Sequence, residues 1–236
     1  MHSNEIIVYD SIDECPYLPK TKARMPLRRP QKKLTGTQFD QRMLEGDRRY
    51  GRFLYRTACG KCQACEPIRI RVRDFQPNKT QRKTLAKGNN QILTVVQQPI
   101  VDQEHVALYN AHSNRKGLNS HARTTSIYDY KMFLADTCCD TLEFTYYLGE
   151  KLIGVSIADR GRSCLSAVYC FYDLDFAKLS PGTFSVLKQI EKCADWNLEY
   201  LYLGYYVAEN CHMNYKALFY PHQRLINGEW REFRKN

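Results

Sequence analysis

Three observations predict an α/β (α+β) fold built on a largely antiparallel sheet. Two strand-like runs, residues 143–148 and 152–159, are joined by Gly149-Glu150-Lys151, a hairpin signal. A third apolar run, residues 164–172, precedes Ser180-Pro181-Gly182-Thr183. Val186, Leu187, Ile190, Cys193 and Ala194 then recur at helical spacing. A further run, residues 198–206, reads as a strand after that helix.

The elements follow in chain order. Residues 1–34 read as extended or irregular, because prolines at 16, 19, 26 and 30 forbid a long helix. Thr37 caps a short predicted helix running through Glu45, with Phe39 and Met43 on one face and Gly46 as terminator. Cys59, Cys62 and Cys65 then recur at an interval of three on a Gly-containing segment. Such a turn brings sulfurs together and suits a soft metal ion. It is one ligand short of four, and Cys15 is the other cysteine of the first half. The alternative reading is structural or redox-sensing thiols.

A strand follows the thiols, with Ile68, Ile70 and Val72 apolar and Arg69, Arg71 and Arg73 between them. Residues 75–90 read as a polar, basic segment with turn residues. Residues 92–96 predict a strand, and 103–115 a helix ending before Gly117. Ser180 is the expected N-cap of the later helix, with Pro181 at its first position. Residues 210–219 predict a short helix. The expected division is a Cys-containing basic region over 1–90 and a second domain over 91–236. The order of the second half is compatible with the GNAT type of acyltransferase fold.

Composition narrows the function. A chain of 236 residues supports one good core or two tightly packed units. No apolar run approaches the roughly 20 residues needed to span a bilayer. The first residues lack a basic flank and an unbroken apolar segment, so no signal peptide is expected. Ten cysteines without an export signal point to a reducing, cytoplasmic setting. Cys138, Cys139, Cys164, Cys170, Cys193 and Cys211 lie in apolar patterns and are expected as core thiols. The net charge of +10 favours a polyanionic partner. Basic clusters between Lys20 and Lys87, interleaved with Tyr and Phe, tilt that partner toward nucleic acid.

Five motifs in order carry a resemblance to a known family. They are Cys15-Pro-Tyr-Leu-Pro, Phe53-Leu-Tyr-Arg with the three cysteines and Pro67-Ile-Arg69, Val168-Tyr-Cys-Phe-Tyr-Asp173, Ser180-Pro-Gly-Thr183, and Leu203-Gly-Tyr-Tyr206 with Tyr215-Lys216-Ala. Together they resemble the aminoacyl-tRNA–protein transferases of the arginyltransferase and bacterial leucyltransferase family, over roughly residues 14–225. Bacterial relatives typically read Gly-Phe-Arg-Arg-Ser-Gly where this chain has Gly46-Asp47-Arg48-Arg49-Tyr50-Gly51. The compact length resembles the bacterial branch, which transfers leucine to proteins beginning with Asp or Glu and so marks them for N-degron degradation. Arginine transfer is the alternative within the family, and a zinc-knuckle RNA-binding protein the non-enzymatic one.

The resemblance implies aminoacyl-tRNA and acidic N-termini as partners, no membrane, and no cofactor for the chemistry. A zinc ion or iron–sulfur cluster at Cys15, Cys59, Cys62 and Cys65 would be structural or regulatory. The reaction is attack by an α-amine, whose ordinary pKa is about 7.7–8.0, on an already activated ester. It needs positioning, oxyanion donors and a proton path. Asp173, Tyr205 and Tyr206 are the expected catalytic set. Arg69 is the expected reader of the acceptor carboxylate, because arginine offers a planar fork. Tyr55, Ser180, Thr183, Lys216, Arg48 and Arg49 complete the expected substrate contacts.

Overall fold

The computed structural model describes residues 5–118 and 124–235. The first part runs through β1 (Glu5–Tyr9), a hairpin of β2 (Ile12–Glu14) and β3 (Lys22–Arg24), and β4 (Leu27–Pro30). It continues through α1 (Gly36–Leu44), β5 (Arg48–Tyr50) and β6 (Phe53–Tyr55). Strands β1, β4, β6 and β5 form a four-stranded sheet in that order. Helix α1 starts two residues earlier than the sequence suggested. Thr35, not Thr37, is the cap, because Gln38 stands three residues on and completes a reciprocal capping box. Phe39 and Met43 are buried as expected, and Gly46 ends the turn at φ +86°.

The remainder runs through β7 (Glu66–Arg71), α2 (Lys79–Gln91), β8 (Leu93–Gln97), α3 (Gln103–Arg115) and α4 (Ile127–Tyr130). Then come β9 (Asp140–Leu148), β10 (Lys151–Arg160), β11 (Cys164–Tyr172) and α5 (Pro181–Asp195). Strands β12 (Tyr200–Tyr206), β13 (His222–Ile226) and β14 (Glu229–Phe233) close the chain. These strands make an eight-stranded sheet in the order β14-β13-β7-β12-β11-β10-β9-β8. Every pairing in it is antiparallel except β11 with β12. Strand β7 comes from the N-terminal region, so that region and the second half share one sheet.

The predicted hairpin, α3, β11 and α5 are all present. Residues 75–90 are corrected: most of them form α2, which Asn78 and Gln81 start with a capping box. The expected helix over 210–219 is a short 3₁₀ turn over Asn214–Leu218. The β13–β14 hairpin was not foreseen. Ser180 precedes α5 at φ +53°, and its side chain makes no capping bond. Among the six expected core thiols, Cys138, Cys139, Cys164 and Cys193 are buried, Cys170 is half-buried, and Cys211 is exposed.

One face of the large sheet packs Ile68, Ile70, Leu201 and Leu203 against Phe184, Leu187 and Ile190 of α5. A second cluster joins Val106 of α3 and Tyr130 of α4 to Val155, Ile157 and Phe171. A third sets Phe39 and Met43 of α1 against Cys164 and Tyr202, docking the small sheet's helix on the large one. Helix α2 lies on α5 at Gly88, where a Cβ would stand 2.2 Å from the Phe184 ring. Only glycine permits that approach. A Gly88→Ala variant is expected to lose about 1–3 kcal/mol by overpacking, although alanine is the better helix former. Urea denaturation of the two proteins measures the difference.

Candidate active site

Strands β11 and β12 are in register only over Cys164–Ser166 and Tyr200–Tyr202. Beyond that point their parallel pairing ends. Arg48, carried on β5, stands at the parting: Nη1 donates to Ser166 Oγ at 2.8 Å and Nη2 to the Ala167 carbonyl at 2.6 Å. Across from it Gly204 has φ +88°, and a Cβ there would lie 3.2 Å from the guanidinium. Glycine is thus required twice at this position, for backbone angle and for space. The next residue, Arg49, is buried against Asp159 with an Nε–Oδ2 distance of 2.6 Å. Thr141 donates to the other oxygen of the same carboxylate.

A cavity of about 770 Å³ opens from this parting. Its walls include Tyr169 and Tyr172 of β11, the start of α5 from Ser180 to Thr183, and Gln189 one face further along that helix. Tyr17, Tyr55 and Tyr205 line another wall, with their rings edge-on at 6.2–6.3 Å. The Tyr205 hydroxyl donates to the Gly46 carbonyl at 3.3 Å. Burial, reinforced by Tyr55, pushes this phenol far above its ordinary pKa and keeps it neutral. His112 also lines the cavity, with Nδ1 2.9 Å from the Tyr172 carbonyl. Burial holds its pKa below the ordinary imidazole value despite that carbonyl, and Lys116 adds to the depression.

Lys216 is the sharpest feature. It is 8% exposed, its ammonium donates to the Tyr205 carbonyl at 2.7 Å, and no carboxylate pairs with it among the described residues. Burial lowers its pKa to about 7; the positive charge of Arg48 adds to this, and Cys65 opposes it. No aspartate or glutamate lines the cavity among the described residues, whereas Arg48, Arg49, Lys116 and Lys216 all do.

The cavity therefore gathers Tyr205, Tyr55, Ser180, Thr183, Lys216, Arg48 and Arg49 from the expected set. Three residues fall outside its lining. Arg69 lies between the rings of Tyr200 and Trp230, at 3.9 and 4.0 Å, and donates to Gln223 and the Tyr202 hydroxyl. Alternation along β7 turns its side chain to the face that carries Tyr202, away from the α5 face. Asp173 is held by Lys151 at 2.9 Å and Arg115 at 3.6 Å. The Tyr206 ring packs on the α5 face of the sheet, with Arg224 over it at 4.6 Å. Tyr17, His112 and Gln189 were not named from the sequence: Tyr17 stands inside the Cys15 motif beside a candidate metal ligand, Gln189 lies six residues after Thr183 on the same helix, and only His112 is remote from every motif.

The thiols form a looser group than their spacing suggested. Burial, followed by Cys15, Cys59 and Cys62, pushes Cys65 up to about 12, so the four sulfurs are electrostatic neighbours. Yet no group of three metal-ligating side chains is arranged to hold an ion among the described residues. Two sulfurs instead accept backbone N–H groups, Cys15 from Leu18 and Cys59 from Arg24. Burial works to raise Cys15, but the Tyr17 and Leu18 N–H groups outweigh it and lower that thiol's pKa.

The buried Arg49–Asp159 pair gives a direct test of this framework. Asp159→Ala leaves a desolvated guanidinium without its counter-charge and is expected to cost about 3–5 kcal/mol in urea unfolding. An Arg49→Met, Asp159→Leu double variant is expected to recover most of that loss.

Comparison with known proteins agrees with this architecture. The N-terminal model of the arginine-tRNA-protein transferases matches residues 13–83, and the C-terminal model matches residues 104–226. An aspartate/glutamate leucyltransferase of Acinetobacter baumannii is 33% identical over 223 residues, covering 94% of this chain and 82% of the relative. That of Saccharophagus degradans is 35% identical over 220 residues, covering 93% of each chain. A crystal structure of the C-terminal domain of a lysylphosphatidylglycerol synthetase-type protein from Agrobacterium fabrum shares the fold, with a TM-score of 0.50 and 10% identity over 62% of this chain and 48% of that one. With both family models matched in order and relatives aligned nearly end to end, the chain belongs to the aminoacyl-tRNA–protein transferase family and is an aminoacyltransferase.

Proposed function

We propose that the enzyme transfers leucine from leucyl-tRNA to the α-amine of proteins that begin with Asp or Glu, marking them for N-degron degradation. The observation that carries this is the sign of the cavity wall: four cationic side chains and no carboxylate among the described residues. An arginyl group would meet like charge there and find no partner, while an acidic acceptor finds one. Apolar lining from Val168, Val186, Phe133 and Leu203 suits a leucyl side chain. The parting of β11 from β12 supports a GNAT-like arrangement for this half. A charged-tRNA donor supports a cytoplasmic setting for the reaction; no helix among the described residues is long and apolar enough to cross a membrane.

In this reading the acceptor amine attacks the ester carbonyl. The new C–N bond forms, the C–O bond to ribose breaks, and the amine proton ends on the ribose oxygen. The Gly182 and Thr183 N–H groups, in the first turn of α5, are the donors for the developing oxyanion. Tyr205, with Tyr17 and Tyr55, packs the aminoacyl end. Asp173 acts as a positioning residue, fixing Lys151 and Arg115 beside Tyr172. Arg69 is engaged by its aromatic neighbours, and Arg48 and Arg49 hold the framework. Lys216 therefore takes the acceptor carboxylate.

That assignment has a pH signature. Below about 7 the Lys216 amine is charged in the empty enzyme, and above it neutral. The ratio of kcat/KM for an Asp-starting over an Asn-starting peptide should accordingly fall as pH rises through about 7; the ratio cancels titration of the attacking amine. Lys216→Met should lower this ratio about ten- to a hundredfold at pH 6.5, the worth of one charge-assisted hydrogen bond. A variant that keeps the parental ratio would reassign the reader.

For the thiols we propose that Cys15, Cys59, Cys62 and Cys65 hold a zinc ion or iron–sulfur cluster that braces the segment behind Tyr17. The chemistry of the donor set supports this, since N–H···S contacts stabilise bound thiolates as well as free ones. Such a group would supply structure and take no part in the acyl transfer. Elemental analysis of anaerobically purified protein should find metal bound at a constant ratio to the chain, lost in Cys62→Ser with a lowered melting temperature. Metal-free parental protein of unchanged stability would end the proposal.

A further inference from the structure

Most cations of the N-terminal region are engaged inside the molecule. Arg28 pairs with Glu5 and Asp47, Arg42 with Glu5, Arg49 with Asp159, and Arg56 with Asp47 and Glu45. Arg24 pairs with Asp10, Lys22 with Glu14, and Arg71 with Glu199. These residues are poor phosphate contacts, because meeting a phosphate would mean breaking an existing pair. The charge clusters of the sequence thus overstate the basic surface on offer.

Helix α2 carries four cations on one element that are not so engaged. Gln81 and Gly88 face inward, and Lys79, Arg82, Lys83 and Lys87 are exposed. None of these four has a carboxylate partner among the described residues; Arg82 meets only the Pro77 carbonyl. Lys79, Lys83 and Lys87 recur at four-residue intervals, so they form a row along one side of the helix, about 6 Å apart per step.

The row runs beside the cavity. At its N-terminal end Gln81 Nε2 donates to the Leu218 carbonyl, in the turn that carries Lys216. Toward its C-terminal end Gly88 lies on Phe184, one residue after the cavity-lining Thr183. Neither Leu218 nor Phe184 lines the cavity itself, but each adjoins residues that do, Leu218 lying two positions after Lys216 and Phe184 between Thr183 and Ser185.

We propose that the outer face of α2, through Lys79, Arg82, Lys83 and Lys87, is the phosphate-contacting surface for the acceptor stem of the donor tRNA. The inference rests on the transfer reading for the nature of its polyanion. Its chemistry is sequence-independent: lysines on a rigid helix neutralise backbone phosphates and release counterions, leaving the aminoacyl group to be read in the cavity. Two other exposed cations, Lys32 and Lys33, lie on the connection between β4 and α1, and neither they nor α1 lines the cavity.

The test measures binding of deacylated leucine tRNA to the full-length protein by fluorescence anisotropy over a range of KCl concentrations. Lys79→Gln, Lys83→Gln and Lys87→Gln together should reduce the slope of log Kd against log salt by about 2–3, since each lost phosphate contact removes about 0.7–0.9. Lys32→Gln with Lys33→Gln should leave the slope in place. The substituted side chains are exposed, and an unchanged melting temperature confirms that the fold is intact. A slope unchanged in the triple variant, or reduced instead by the Lys32 and Lys33 changes, overturns the proposal. Binding is read without transfer, so a protein that shows the expected slopes but moves no leucine would refute the transfer reading and leave the surface standing.

Discussion

The structure depends on one buried cation at the point where two parallel strands separate. Arg48 satisfies the hydroxyl of Ser166, the last β11 residue that β12 pairs, and the carbonyl of Ala167 just beyond it, and it fills the volume left by the missing side chain at Gly204. An unpaired sheet interior would expose carbonyl and N–H groups with no partner, at a cost of about 1–3 kcal/mol each. A guanidinium with five donors is suited to that gap. Because Arg48 and Arg49 come from the small sheet, the same two residues fasten the N-terminal region to the large sheet and shape the cavity floor. The site and the junction between regions are one construction.

Electrostatics explains why the cavity is cationic although much of the basic sequence is neutralised. Two acidic residues of the first part, Glu5 and Asp47, are buried, each serving two arginines. Burial pushes the Asp47 carboxyl upward even with Arg28 and Arg56 beside it. With those carboxylates occupied in the framework, Arg48, Lys116 and Lys216 line the cavity with no carboxylate partner among the described residues. Charge is thus sorted by depth, with pairs under the small sheet and single cations toward the substrates.

Much of the fold was legible in the sequence. Strand β11 and helix α5 have strong apolar periodicity, and the β9–β10 turn has its glycine where a hairpin needs one. Helix α2 was missed because its buried side consists of Gln81, Leu85 and Gly88, which no apolar periodicity announces; its capping box was the readable signal. The site was legible as a set of motifs but not as directions. Nothing local to Arg69 says that Tyr200 and Trp230 enclose it, since these lie 131 and 161 positions further along the chain. Lys216 was named among the substrate contacts, but its burial comes from the turn that folds under Tyr205. Long-range packing decided both cases.

The irregularity at Gly204 has a consequence for how the chain finds its pairing. The β7–β12 register shifts between Tyr202 and Gly204, so Tyr205 and Tyr206 are assigned to opposite layers at the far end of the strand. A strand rich in tyrosine and leucine could otherwise slide along β7 with little loss of contact, and a slip of one residue would turn every side chain over. With the bulge in place, a one-residue slip puts Leu203 or Tyr205 at the left-handed position and drives its Cβ toward Arg48. Gly204 thus works as a key cut for one alignment, and misregistered pairings are disfavoured sterically.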